Sequence, residues 1–139
     1  MKVVRFGVSL EKDLLSKFDT LRRETNYENR SEAIRDLIRD KLVKDEWSKL
    51  TGEVTGVISL VYDHHRRELV DNLIRIQHDH RSTIIIASQH VHLNHDNCLE
   101  VIVVRGRAKA VSDLASRLRS SKGVKHGELV MTTTGKYLK

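Results

Sequence analysis

Residues 82–106, STIIIASQHVHLNHDNCLEVIVVRG, read as two strands joined by a short polar turn. The first strand is rich in β-branched residues and ends in His-x-His. LNHDN makes the turn, and Cys98 opens the apolar return strand. Working outward, VTGVISLVYD (54–63) reads as a strand and HHRRELVDNLIRIQHDH (64–80) as a helix with apolar residues on one side. After the pair come a helix in AKAVSDLASRLRSS (108–121) and a strand in GELVMTTT (127–134). The order βαββαβ predicts a split βαβ, ferredoxin-like sheet with both helices on one face. The other face then needs a cover, and a second subunit is the obvious one.

Ahead of this unit, the even positions Val4, Phe6, Val8 and Leu10 are apolar, with Arg5, Gly7 and Ser9 between them, which is strand periodicity. Helical spacing follows through Leu14, Leu15, Phe18 and Leu21. A second helix is expected from NYENRSEAIRDLIRDKLVK, with Asn29 or Ser31 as its cap, Glu32 as a capping partner, and Ala33, Ile34, Leu37, Ile38 and Leu42 as its buried stripe. Charges and glycines in VKDEWSKLTGEVTG predict a linker near residues 45–52. The expected domains are therefore 1–46 and 53–139. A lone strand has no ladder partner in its own chain. Two chains pairing their strands antiparallel would form a ribbon displaying Arg5, Gly7 and Ser9 on its outer face. Such a ribbon fits the DNA major groove, where arginine reaches guanine and serine several base edges.

Composition agrees with this reading. A formal charge of +6 over 139 residues favours an anionic partner, and nucleic acid fits better than membrane because no basic amphipathic stretch carries an aromatic apolar face. A single cysteine rules out an internal disulfide and fits a reducing compartment. No apolar run reaches the roughly 18 residues of a membrane span, and MKVVRFGVSL lacks the apolar core of a signal peptide. A soluble, cytoplasmic protein is expected.

His90 and His92 lie two apart on a strand, so both imidazoles project from one face, and Cys98 returns beside them. Imidazole with thiolate suits zinc, copper or nickel and not calcium or magnesium. Three ligands leave one position open to water, to substrate, or to His64, His65, His78, His80 or His126. His95, in the turn, is expected to face solvent.

Two resemblances sharpen these expectations. The N-terminal unit resembles ribbon-helix-helix DNA-binding domains, and NRSEAIRDLIR is similar to their second-helix signature. The likeness implies that Asn29, Arg30 and Ser31, at the helix start, hold a DNA phosphate. HVHLNHDNCLEVIVVRG after IQHDH, behind such a start, resembles the NikR family of nickel-responsive transcriptional regulators over nearly the full chain. That likeness implies an ACT-like C-terminal domain forming a homotetramer, a dimer of dimers, with dimeric DNA-binding ends. It implies one Ni2+ per chain in a planar inter-subunit site. His90, His92 and Cys98 of one chain would be its ligands, with His78 of a neighbour. It further implies a second cation at Glu32 and Asp36. In the family eleven positions separate the helix histidine from His-x-His, whereas His78 and His90 are twelve apart. His80 therefore competes with His78, and the additional residue is expected in the helix-to-strand loop. Gly7 stands where some relatives carry a hydroxyl residue, so the operator need not be theirs.

The α+β reading, a β-α-α unit followed by a βαββαβ unit, thus points to a nickel-dependent repressor of nickel uptake genes acting on double-stranded operator DNA. The alternative is a ribbon-helix-helix regulator that senses another transition metal or a small ligand through its ACT-like domain. An enzyme is not expected, because no Glu or His is spaced as an evident general base for a His90, His92 and Cys98 centre.

Overall fold

A computed structural model of the chain describes residues 2–49, 51–80 and 83–138. Two compact units divide it, one ending at Asp40 and the other beginning at Lys41. The second unit is organised by β1 (Glu53–Asp63), which alternates buried and half-buried residues from Val54 onward. It is followed by α3 (Arg67–Asp79), β2 (Thr83–His92), β3 (Asn97–Arg107), α4 (Ala108–Arg119) and β4 (Val124–Thr132). The sheet order is β2-β3-β1-β4 and every pairing is antiparallel. This is the expected ferredoxin-like arrangement.

Helical spacing places Leu69, Leu73 and Ile76 of α3, and Val111, Leu114, Ala115 and Leu118 of α4, in one core with Ile58, Leu60, Ile102 and Val104 of the sheet. Helix packing is close at Gly56: a Cβ there would lie 3.3 Å from the Trp47 ring and 3.4 Å from Val111. Leu114 is fully buried, so Leu114→Ala is expected to lower unfolding stability by about 2–5 kcal/mol, read from the midpoint of a urea transition. On the opposite sheet face Val57, Val61, Val101 and Val103 are only half-buried and Val130 is exposed.

The first half of the expected linker, residues 45–48, is helical. A second helix of the N-terminal half, α2 (Arg30–Ser48), runs through residues 45–48. Its last turn is held because Trp47 is buried and its Nε1–H donates to the Thr132 carbonyl at 2.8 Å. Packing of one aromatic residue thus outweighs the polar character that predicts a break.

In the first unit α1 (Lys12–Glu24) is joined to α2 by a turn in which Asn26 adopts a left-handed φ of 64°. The Arg22 guanidinium closes this turn on the Tyr27 and Glu28 carbonyls at 2.9 and 3.0 Å. Asn29 is the cap of α2: its Oδ1 accepts the Glu32 N–H at 2.9 Å. Residues 2–11 form neither strand nor helix in the single chain. The periodicity of a strand is present there, but a strand needs a ladder partner. The apolar stripe is open too. Val4, Phe6, Val8, Leu37, Ile38 and Leu42 are exposed, and of the expected stripe only Ala33 is buried.

Candidate metal centre

Antiparallel register puts the chemistry of β2 and β3 in rows. His92 pairs with Cys98, which pairs in turn with Tyr62 of β1. Two residues along, His90 pairs with Glu100, which pairs with Leu60. Side chains two apart share a sheet face, so His90, His92, Cys98, Glu100 and Tyr62 all lie on the helix-covered side. The two imidazoles are exposed at the end of β2, whereas Cys98 and Glu100 are buried.

Glu100 is the hub of this face. Its Oε2 accepts the Tyr62 hydroxyl at 2.8 Å, and its Oε1 accepts Ser88 Oγ at 3.3 Å and Gln77 Nε2 at 3.4 Å. His90 Nε2 stands 3.4 Å from the same Oε1. A buried carboxylate needs this many partners. Burial raises the Tyr62 hydroxyl well above the ordinary phenol range, and the Glu100 carboxylate adds to it, so Tyr62 is a donor throughout the physiological range. Burial also pushes the Cys98 thiol up, with Glu100 and Asp63 adding to the shift and Tyr62 opposing it. A metal at Cys98 must therefore displace a firmly held proton.

The helix histidines differ in environment. His78 is exposed in the last turn of α3. His80 caps that helix: its N–H donates to the Ile76 carbonyl at 3.3 Å and its Nδ1 lies 2.8 Å from the same oxygen. Between this helix and His90, the pairing of β2 steps from Ile85 to Ala87 across a bulge at Ile86. Part of the expected helix-to-strand loop, residues 81 and 82, lies outside the described residues.

Among the described residues of a single chain, the cluster of potential ligands is a different one. His65, His95 and Asp96 bring one ligand atom each within 4.8 Å of one another. His95 is exposed, as expected. Taking it and His65 separately misses their proximity. The usable signal is topological: β1 and β3 are antiparallel neighbours, so the residue pair Asp63 and Asn97 brings together the turn after β1 and the turn before β3.

On the N-terminal unit, Arg5 and Ser9 are exposed, and a Cβ on Gly7 would meet nothing within 4 Å. Arg30 is held by Asp19 in a two-pronged pair, Nε to Oδ1 at 2.9 Å and Nη2 to Oδ2 at 2.7 Å, which keeps the Asp19 carboxyl below its usual range. Its guanidinium is thus occupied, while the first-turn N–H groups of Arg30 and Ser31 are those a helix leaves without intrahelical partners. Glu32 is paired with Arg35 at 2.6 Å. Asp36 accepts the Tyr27 hydroxyl and lies 3.7 Å from Arg39.

Two helices behind an N-terminal arm of strand-like periodicity, followed by a ferredoxin-like sheet edged with histidines, define a two-module protein of the ribbon-helix-helix class. Residues 4–45 match the family model described as ribbon-helix-helix protein, copG family, and residues 55–132 match that of the NikR C-terminal nickel binding domain. The chain belongs to the nickel-responsive regulator family. It is 55% identical over 137 residues to a protein named "Putative nickel-responsive regulator" from Nitratidesulfovibrio vulgaris (strain DSM 19637 / Miyazaki F), covering 99% of this chain and 98% of that one. Proteins of the same name from Pyrococcus furiosus and Thermococcus kodakarensis are 55% and 52% identical, with 98% and 99% of each chain covered, respectively. Among the described residues no helix is long and apolar enough to cross a membrane.

Proposed function

We infer that this protein is a nickel-dependent, DNA-binding transcriptional repressor of nickel uptake genes, acting in the cytoplasm as a homotetramer. The observation that carries this reading is the pair of rows on one sheet face, which sets the His92 imidazole directly across from the Cys98 thiol and His90 two residues along. The donor set fits nickel: imidazole nitrogens and a thiolate are ligands it accepts. His90, His92 and Cys98 would hold one nickel per chain, with His78 of a neighbouring chain as the fourth ligand. His78 is supported over His80 because it is exposed in the last turn of α3, whereas the His80 ring is engaged with the Ile76 carbonyl. Bound nickel would supply a cross-link between chains.

The remaining steps belong to the chain's own residues. Glu100 fixes His90 and Tyr62 on the ligand face, and Tyr62 borders Cys98. The exposed stripe of Val4, Phe6, Val8, Leu37, Ile38 and Leu42 is covered when two chains pair their N-terminal arms, and the half-buried sheet face is covered when dimers assemble into the tetramer. Arg5, Gly7 and Ser9 then lie on the outer side of the ribbon, with Asn29, Arg30 and Ser31 at a phosphate. The Arg30 side chain serves by being locked on Asp19, which leaves contact to backbone N–H groups. A second cation on Glu32 and Asp36 is part of the same reading, and it would have to displace Arg35 and Tyr27 from them. Fixing the inter-subunit site favours the arrangement of ribbon ends that grips one operator, so nickel and DNA tighten each other's binding.

The reading is tested by operator binding. Arg5→Ala is expected to weaken specific binding in the presence of nickel by about 1–3 kcal/mol, the worth of one two-pronged base contact, with assembly unchanged by light scattering. Equal loss on random DNA would place Arg5 on phosphate instead. Binding that is indifferent to nickel would overturn the metal-dependent mechanism.

A further inference from the structure

We propose that the segment after β4, residues 133–138, is a strap that fixes the last turn of α2 on the C-terminal unit, and that this hold passes the state of the metal centre to α2. The inference rests on the nickel-dependent reading above. α2 has residues in both compact units, 30–40 in the first and 41–48 in the second. Its last turn is poorly suited to stay helical by itself. Asp45 and Glu46 stand at the negative end of the helix dipole, where carboxylates are unfavourable, and no basic residue lies in that turn. Lys49, just beyond, pairs with Asp45 at 2.8 Å, but both side chains are exposed and such a pair contributes little. The turn is therefore held from outside the helix.

Two contacts supply the hold. Trp47 is buried, and its Nε1–H donates at 2.8 Å to the carbonyl of Thr132, the last residue of β4. One residue further along the strap, the Thr133 hydroxyl donates to Glu46 Oε2 at 3.0 Å. The same hydroxyl oxygen accepts the Gly135 N–H at 3.1 Å, so it ties the helix to the turn of the strap. Gly135 makes that turn with a left-handed φ of 77°, and its carbonyl accepts the Leu138 N–H at 3.2 Å. Glu46 and Trp47 are successive residues, about 100° apart around the helix axis. A single anchored side chain leaves a helix free to pivot, whereas contacts on two sides fix its direction on the C-terminal unit.

The strap is not sealed against the helix. A cavity of about 520 Å³ lies between them, lined by Leu42, Glu46, Glu53, Thr134, Tyr137 and Leu138. Trp47, by contrast, belongs to the hydrophobic core. The two contacts therefore differ in kind: the Trp47 anchor opens only with the core, whereas the Thr133 contact is released by local opening of a thinly packed segment. Without Thr133, Glu46 loses the partner that offsets its unfavourable place on the dipole, and the last turn frays around the Trp47 anchor. A frayed turn no longer transmits a difference between nickel-bound and nickel-free states to the rest of α2, so the coupling free energy between metal and operator falls while nickel binding itself persists.

The test compares the full-length chain with a Thr133→Val, Gly135→Val double variant and with Thr133→Ser, which keeps the hydroxyl. The DNA probe is a duplex selected from a random library by the nickel-loaded wild-type chain, set against an unselected duplex. In the double variant, amide hydrogen exchange over residues 42–48 should quicken. The thiolate absorption should be unchanged, and so should the emission of Trp47, the chain's single tryptophan, because the core stays closed. The nickel-induced rise in affinity for the selected duplex should shrink by about 2- to 30-fold, the range over which substitutions along a coupling element act, with affinity for the unselected duplex unaltered. Thr133→Ser should behave as wild type. Unchanged exchange, a red shift of the Trp47 emission, or a full nickel-induced rise in the double variant would each overturn the strap and leave the nickel reading standing. A wild-type chain whose affinity for the selected duplex ignores nickel would instead overturn that reading, and the coupling with it.

Discussion

Replacing Cys98 by alanine is expected to abolish the near-ultraviolet thiolate-to-nickel absorption and, with it, the nickel dependence of operator binding. Cys98 is buried in the row between His92 and Tyr62, and it is the chain's single thiol, so no other side chain can give that absorption. Alanine keeps the backbone ladder and removes only sulfur, so far-ultraviolet circular dichroism should be unchanged. The wild-type signal should also depend on pH in a defined sense. Burial, reinforced by the Glu100 carboxylate, raises the thiol, and Tyr62 only partly offsets it. Nickel competes with that proton, so apparent affinity rises with pH across the neutral range and falls in acid. A nickel spectrum identical in wild type and Cys98→Ala would remove the thiolate from the centre.

Whether a feature is legible in the amino-acid sequence depends on how local its cause is. The βαββαβ order is legible because four elements of the C-terminal unit carry their own periodicity, alternating in β1 and β3 and helical in α3 and α4. The end of α2 is not, because the burial of Trp47 and its bond to the Thr132 carbonyl are tertiary contacts hidden in a run of charges. The bulge at Ile86 is not legible either, since IIIAS is equally compatible with a regular strand. Of the candidate centre, His90, His92 and Cys98 stand out as a group because two-residue spacing and a short turn are local. The buried Glu100 hub does not. A lone carboxylate in CLEVIVV reads as solvent-facing until the register sets it opposite His90 and within reach of the Tyr62 hydroxyl.

The largest architectural consequence of the proposed centre is that no single chain holds all four ligands, and complementation between damaged chains follows from it. A His78→Ala chain and a Cys98→Ala chain should each fail to give the thiolate absorption. Co-expressed with different tags and purified as a mixed tetramer, they should recover a fraction of it, because a chain retaining Cys98 meets a neighbour retaining His78. The recovery is possible because the two residues occupy separate elements, His78 on the exposed end of α3 and Cys98 at the start of β3, so neither substitution disturbs the other's placement. A centre completed within one chain could not be rescued this way, since every chain in the mixture would still lack a ligand. His80→Ala in place of His78→Ala provides the control on register: it should leave the homotetramer's absorption intact, as the His80 ring is engaged at the helix cap with the Ile76 carbonyl. Loss of signal in the His80→Ala homotetramer, with full signal in His78→Ala, would transfer the fourth position to His80. Absence of recovery in tetramers shown by both tags to be mixed would rule out a shared site, whichever helix histidine is used.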